Sequence, residues 1–421
     1  MTAGGVIPAL TAAVVASLLV AAAAGRPFAL GRPPVAFAVF GVATVTLGSA
    51  SAAATRYFFP AYDVPLARAL WLEAMGFAVT ALVVAGVRLV PPRAAAIRWA
   101  WIPPRLDLVI AILTGLSVVG TILAVRRIGY VPLFRGDVRE ERYFNVLTEQ
   151  AGVFYRLSLL GVPAAILGGV RSLAGGRNRA SAFAAALSVF CVSLYGPRFY
   201  PVVALASLAV VWDLYRARLR IWQIAAAALL GLPTLVFAAL HREGIAETNA
   251  GALVTLSYFS FGEFRDFAAS VPYFDGPERR LHGETIPSVI VPLLPGKAWS
   301  IVGVDKASLY ARNSADVMSE YMNVTTGIRI GVVGELNMNF GFPGVAIGMA
   351  ILGVILAGLD RLLASSRLDS PWTPFAALAT VLTVFTLVGQ LNMYTSSLAS
   401  FGYPLLVAAI VAGRRVASPA P

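Results

Sequence analysis

Long apolar stretches, each closed by a cluster of Arg, Pro and Gly, dominate the chain. They fall near residues 6–24, 35–54, 69–90, 106–125, 154–174, 181–195, 199–214, 221–240, 341–360, 372–390 and 396–413. Most are close to the roughly 20 residues that a helix needs to cross a hydrocarbon core, so the pattern predicts an all-α, polytopic transmembrane helical bundle of about eleven spans. The whole chain, 1–421, reads as one integral membrane domain with one large polar insertion at 241–340. The intervals 181–195 and 199–214 are short and joined by Tyr195-Gly196-Pro197-Arg198, which predicts a tilted or broken pair. Val6 to Ala24 has no basic residues ahead of it and many apolar stretches behind it, so it is expected to be a retained helix rather than a cleaved leader.

Composition sharpens this picture. Residues of the set AVILMFWYC make up 58% of the chain and charged ones 13%, against about 45–50% and 25% in soluble domains. A soluble globular enzyme is therefore excluded. The net charge of +12 comes from 33 basic and 21 acidic residues, and every basic residue except Lys297 and Lys306 is Arg. In a membrane protein such an excess serves topology and lipid contact, so no nucleic-acid partner is expected. The single cysteine, Cys191, has no partner for an intrachain disulfide and reads as a small core residue.

Arginine placement predicts orientation, because basic flanks are retained in the cytoplasm. With eleven spans, Arg26, Arg32, Arg88, Arg93, Arg98, Arg105, Arg171, Arg177, Arg179, Arg216, Arg218, Arg220, Arg361, Arg367, Arg414 and Arg415 share one side. That side is expected to be cytoplasmic, with the amino terminus and the insertion facing outward.

Two outward segments depart from the rule. In 126–153, Gly129-Tyr130-Val131-Pro132-Leu133-Phe134-Arg135-Gly136-Asp137 leads into Arg139, Glu140, Glu141 and Arg142. Arginines on a translocated side oppose insertion bias, which points to a ligand; pairing with Asp137, Glu140 and Glu141 in a solvated helix is the plainer account. The insertion of about a hundred residues is longer than a passive connector needs. Within it, Gly251 to Ser270, with Tyr258, Phe259, Phe261, Phe264 and Phe267, predicts an amphipathic or re-entrant helix, and Thr285 to Val304 is apolar but broken by Pro287, Pro292 and Pro295.

The chain carries no Walker loop, dinucleotide fingerprint, Cys/His metal spacing or serine elbow. No cofactor is expected. His241 and His282 are the only histidines, so a histidine metal centre would need carboxylates to complete it. Arginine holds phosphate through a planar fork and stays charged when partly desolvated, so outward arginines suit a lipid-linked diphosphate. The candidates are Arg135, Arg139, Arg142, Arg198, Arg242, Arg265 and Arg312. The segment Gly331-Val332-Val333-Gly334-Glu335-Leu336-Asn337-Met338-Asn339-Phe340-Gly341-Phe342-Pro343-Gly344 places an acid and two amides just before an apolar run. An ionisable group at membrane depth is a functional suspect, while Glu335 and Asn337 would also serve to cap a helix start.

The Gly-Tyr-Val-Pro-Leu segment with its arginines, the Gly196-Pro197-Arg198 turn and the long outward loop together resemble the oligosaccharide repeat-unit polymerases, or O-antigen polymerases. Within that loop the likeness rests on Gly283-Glu284-Thr285, on Pro292-Leu293-Leu294-Pro295-Gly296-Lys297 and on the Gly-Glu-Leu-Asn-Met-Asn-Phe-Gly helix entry, and it spans about residues 125–360. The resemblance implies glycosyl transfer from a polyprenyl (undecaprenyl) diphosphate-linked chain onto a lipid-linked repeat unit, at the outer face of a bacterial inner membrane. A chain-length regulator and a flippase are the further partners it implies, beside membrane lipids. On this reading the arginines, with Asn337 and Asn339, hold diphosphate and glycan. Glu335, Glu284 or His282 takes the acceptor proton, and arginine replaces a divalent metal. A ligase using the same carrier, a glycolipid transporter and a non-catalytic export partner are the alternatives.

Overall fold

A computed structural model describes residues 3–25, 28–58, 65–90, 98–134, 151–174, 178–195, 199–219, 223, 262–294, 301, 313–322 and 328–416. These form helices α1 (Ala3–Ala24), α2 (Pro33–Phe58), α3 (Leu66–Leu89), α4 (Pro103–Ile128), α5 (Gly152–Ser158), α6 (Gly161–Ala174), α7 (Arg179–Ser193), α8 (Phe199–Tyr215), α9 (Gly262–Ser270), α10 (Ile286–Ile290), α11 (Ser314–Met322), α12 (Gly331–Ser365), α13 (Trp372–Phe385), α14 (Leu391–Ser397) and α15 (Tyr403–Ala412). A two-stranded antiparallel ribbon, β1 (Arg98–Trp101) with β2 (Gly413–Val416), pairs Arg98 with Val416 and Trp101 with Gly413.

The protein is a polytopic helical membrane protein. Among the described residues, seven stretches are long and apolar enough to cross a bilayer: Gly5–Ala24, Pro33–Ala53, Leu66–Leu89, Pro103–Ile128, Gly152–Ala174, Gly331–Ser365 and Leu391–Ala412. Shorter apolar helices occupy Arg179–Ser193, Phe199–Tyr215 and Trp372–Phe385. All of these lie on expected intervals; the interval 221–240 falls, but for residue 223, outside the described residues. Leu82, Ile112, Ile347 and Ile410 stay exposed on helix exteriors, as contact with lipid requires.

Local chemistry sets the helix ends. Pro103 and Pro104 open α4, where the missing N–H costs nothing, and Gly129 closes it at φ 80° with its N–H on the Val125 carbonyl. The Asn178 side chain caps α7 through the Ser181 N–H at 3.3 Å. Gly341, at φ 64° and ψ −151°, breaks α12 just before Pro343, dividing it into a short outer and a long inner segment.

Two cores result. One packs α1, α2, α3 and α9 on the outer and middle parts of α12; the other packs α4, α6, α8, α13 and α15 around its inner part. One end of the bundle gathers arginines. Arg32 pairs with Asp360 (Nε to Oδ1 2.9 Å) and donates to the Ala24 and Gly25 carbonyls at 2.8 Å each. Arg361 donates to the Val87 and Val90 carbonyls, Arg171 pairs with Asp107 at 2.8 Å, and Arg415 lies 6.0 Å over Trp99 in the ribbon. Residues 262–294 of the insertion lie at the opposite end, where Asp275 pairs with Arg68 at the start of α3.

Candidate functional site

At that opposite end the insertion docks on the outer segment of α12. Helix α9 buries Phe264 and Phe267, and Gly48 of α2 leaves space for the Phe264 side chain. This helix covers the last nine residues of the stretch 251–270 expected to be amphipathic; residues 251–261, with Tyr258, Phe259 and Phe261, lie outside the described residues. The break at Gly341 releases carbonyls of the preceding turn, and that of Met338 accepts the Leu281 N–H at 3.1 Å. Gly283, at φ 93°, then turns the chain so that Thr285 reaches α12.

Glu335, Asn339 and Thr285 are all fully buried. The Asn339 amide donates to the Thr285 hydroxyl and to the Glu335 backbone carbonyl at 2.8 Å each. The Thr285 hydroxyl donates to Glu335 Oε1 at 3.4 Å, and Oε2 accepts the Leu391 N–H at 2.9 Å. The Ser314 hydroxyl of α11 also approaches this carboxylate without closing a regular hydrogen bond. Glu335 thus ties three separate stretches together: its own helix, the Gly283–Thr285 turn and the first residue of α14. Asn339 Oδ1 is buried with no hydrogen-bond partner among the described residues.

Beside this network lies a cavity of about 210 Å³, lined by Arg68, Trp71, Asp275, Arg280, Asn337 and Phe342 among others. Arg68 forms an ion pair with Asp275. A second, more open cavity of about 670 Å³ carries Glu278, Arg279, Arg280, Glu284, Glu320 and Tyr321 on its wall. Arg280 borders both. In α9, Arg265 pairs with Asp266 at 2.6 Å. Burial pushes the Glu263 carboxyl up to about 7, with Arg329 and Arg265 opposing the shift, and raises Asp266 against the pull of Arg265.

The same end of the bundle holds a tyrosine cluster. Leu133 donates its N–H to the Leu194 carbonyl at 3.0 Å, and the Tyr155 and Tyr200 hydroxyls meet at 2.7 Å. The Tyr155 and Tyr195 rings pack edge-on at 5.1 Å. These residues flank the two arginine-bearing segments, 135–142 and Arg198, and they bring the flanks of both together.

Arg135, Arg139, Arg142, Arg198, Arg242 and Arg312 lie outside the described residues. Glu335 and Asn339 are joined with Thr285 in the buried network, while Asn337 lines the smaller cavity. Glu284 is exposed on the wall of the larger cavity. His282 is exposed too, at φ 45°, a conformation uncommon for a side-chain-bearing residue. Arg265 is engaged by Asp266. Cys191 is buried in α7. No group of three metal-ligating side chains gathers among the described residues.

Sequence reasoning passed over Arg68, Asp275, Arg279 and Arg280. Only the run Glu278-Arg279-Arg280, directly ahead of Leu281-His282-Gly283-Glu284, pointed toward the last two. Comparison of the chain with protein-family models, with curated proteins and with solved structures finds no match in any of the three.

Proposed function

We propose that this protein is a membrane glycosyltransferase that polymerises lipid-linked oligosaccharide repeat units, as the O-antigen polymerases do. It would draw on a polyprenyl diphosphate-linked chain at the outer face of a bacterial inner membrane. In this reading the chain makes eleven spans, with the arginine-rich end cytoplasmic and residues 241–340 outside. One observation carries it: the hydrogen bond from Leu133 to Leu194 and the Tyr155–Tyr200 contact join the flanks of 135–142 and of Arg198 at the end where the insertion docks. The described flanks of the two arginine-bearing segments thereby meet at the end that this reading assigns to the outer leaflet.

The reaction needs little from the protein beyond charge and placement. The acceptor hydroxyl oxygen bonds to the anomeric carbon, the bond from that carbon to the diphosphate oxygen breaks, and the carrier leaves as the diphosphate. Arg135, Arg139, Arg142 and Arg198 stabilise the charge that develops on it. Of the three candidate bases, Glu284 faces a cavity beside Arg279 and Arg280, and we assign it the acceptor proton. Glu335, sealed by Thr285 and Leu391, positions the loop that carries Glu284.

Purified protein in neutral detergent, given polyprenyl diphosphate-linked repeats, is expected to lengthen them, read as a ladder on a gel. Arg135→Ala, Arg142→Ala, Arg198→Ala and Glu284→Gln are expected to abolish the ladder while the protein still enters the membrane. A wild-type protein that lengthens nothing, or a normal ladder from all four variants, overturns the reading. In cells, loss of the gene is expected to leave single repeats; long chains retained on their carrier would indicate a ligase instead.

A further inference from the structure

We propose that the cavity between Arg68, Arg280 and Asn337 is a binding site for the phosphate headgroup of a membrane amphiphile. The proposal goes beyond the transferase reading and stands without it. Among the described residues the Arg280 guanidinium forms no hydrogen bond or ion pair, and its Nε is buried without a partner. A buried guanidinium N–H without an acceptor is costly, and an oxyanion docked on the fork offsets that cost.

The surroundings are built to hold such a group. Arg68 stands across the cavity, held by Asp275, so two guanidinium groups face one carboxylate there. Asn337, only 8% exposed, lines the cavity with an amide. Gly341 gives Arg280 its seat: a Cβ at this position would lie 2.4 Å from the guanidinium carbon. Its backbone, at φ 64° and ψ −151°, is one that glycine alone tolerates well. The rim identifies the kind of molecule. Trp71 is 53% and Phe342 60% exposed beside the cavity, so the opening is bordered by apolar surface that in a membrane protein meets lipid. An anionic head with an apolar tail fits both parts.

Thermal unfolding of the full-length protein in neutral detergent tests this, with inorganic pyrophosphate as probe and Arg280→Gln as the baseline for non-specific salt effects. Pyrophosphate is expected to raise the wild-type midpoint. Arg280→Gln is expected to weaken binding about tenfold or more, and Arg280→Lys, which keeps the charge but loses the fork, by several-fold. Because Arg280 gives up no bond, ligand-free Arg280→Gln is expected to melt at or above wild type, which separates a lost site from a damaged fold. An equal pyrophosphate shift in wild type and Arg280→Gln, or none in wild type, overturns the proposal.

Nanodiscs identify the source of the phosphate, and both of their outcomes require the site. If phosphatidylglycerol discs suppress the pyrophosphate response that phosphatidylcholine discs retain, the occupant is a bilayer phospholipid; if both retain it, the site serves a carrier diphosphate. Intact pyrophosphate binding with no chain elongation would sink the transferase reading alone.

Discussion

Where α1 turns into α2, the guanidinium of Arg32 is used up by Asp360 and by the carbonyls that close α1; at the other end of the bundle, the guanidinium of Arg280 has no acceptor among the described residues. Arg361 and Arg171 behave like Arg32, taking up the Val87 and Val90 carbonyls and the Asp107 carboxylate. Helix C-termini leave carbonyls without partners, and a cation there satisfies them and complements the helix dipole. The opposite end inverts the arrangement: Glu335 and Asn339 are buried and bonded within the fold, while Arg280, Arg279 and Glu284 line cavities. The same residue type thus fastens one end, while at the other Arg68, Arg265 and Arg279 pair with acids and the Arg280 guanidinium has no partner among the described residues. Partners, and not charge counts, tell structural from ligand-seeking arginines.

The largest effect is expected where the buried network is cut. Glu335→Ala strips acceptors from the Leu391 N–H and the Thr285 hydroxyl, and two orphaned donors plus a cavity should cost about 4 kcal/mol. Glu335→Gln keeps one carbonyl oxygen and should cost about 1–2 kcal/mol. Denaturant or thermal unfolding in detergent measures both; a stable Glu335→Ala would show that this end does not depend on its buried acid. At the arginine-rich end, Arg32→Ala leaves Asp360, whose side chain is 17% exposed, without its counter-charge, an expected loss of about 3 kcal/mol. The double variant with Asp360→Asn should recover part of that loss, which a double-mutant cycle reads directly.

Much of the fold was legible because the bilayer imposes a length. Apolar runs between Pro, Gly and Arg clusters marked most of the helices, while the break at Gly341 was not foreseen. What sequence could not supply was partnership across distance. Arg32 and Asp360 stand 328 positions apart, and the ribbon joins 98–101 to 413–416, so these arginines read only as topological signal. The candidate site divided in the same way. Glu335, Asn337 and Asn339 stood out as polar residues before an apolar run, yet nothing local showed that Glu335 faces Thr285 and Leu391 and not water. Arg280 was hidden for the opposite reason, since Glu278-Arg279-Arg280 looks like any solvated charge run until the break at Gly341 seats it.

Acid chemistry at the insertion end predicts a pH dependence. Glu263 lies in α9, and its carboxyl is raised from an ordinary value of 4.5 to about 7 by burial. Between these values the folded protein holds a proton that the unfolded chain has released, so stability falls as pH rises through this window and levels off above it. The loss by pH 8 should be on the order of 2 kcal/mol, with Arg329 and Arg265 limiting it. Glu263→Gln should flatten the slope and stabilise the protein at pH 8, read from melting temperatures between pH 4.5 and 8.5. An unchanged slope would place the titrating group elsewhere.

The smallest effect tests the junction on which the transferase reading rests. Tyr200→Phe removes one hydroxyl from the 2.7 Å contact with Tyr155 and should cost about 1 kcal/mol, since the remaining hydroxyl is left half-satisfied. Changing both tyrosines to Phe removes donor and acceptor together, so the double variant should be no less stable than the single one. If the contact only fills space, elongation should follow stability and return in the double variant. If the bond itself ties the two flanks, elongation should fall in the single variant and stay low in the double, because either change breaks it while the rings still pack. Measuring product length and melting temperature on the same preparations separates the two outcomes, and a double variant with normal ladders would remove the observation that carries the proposed function.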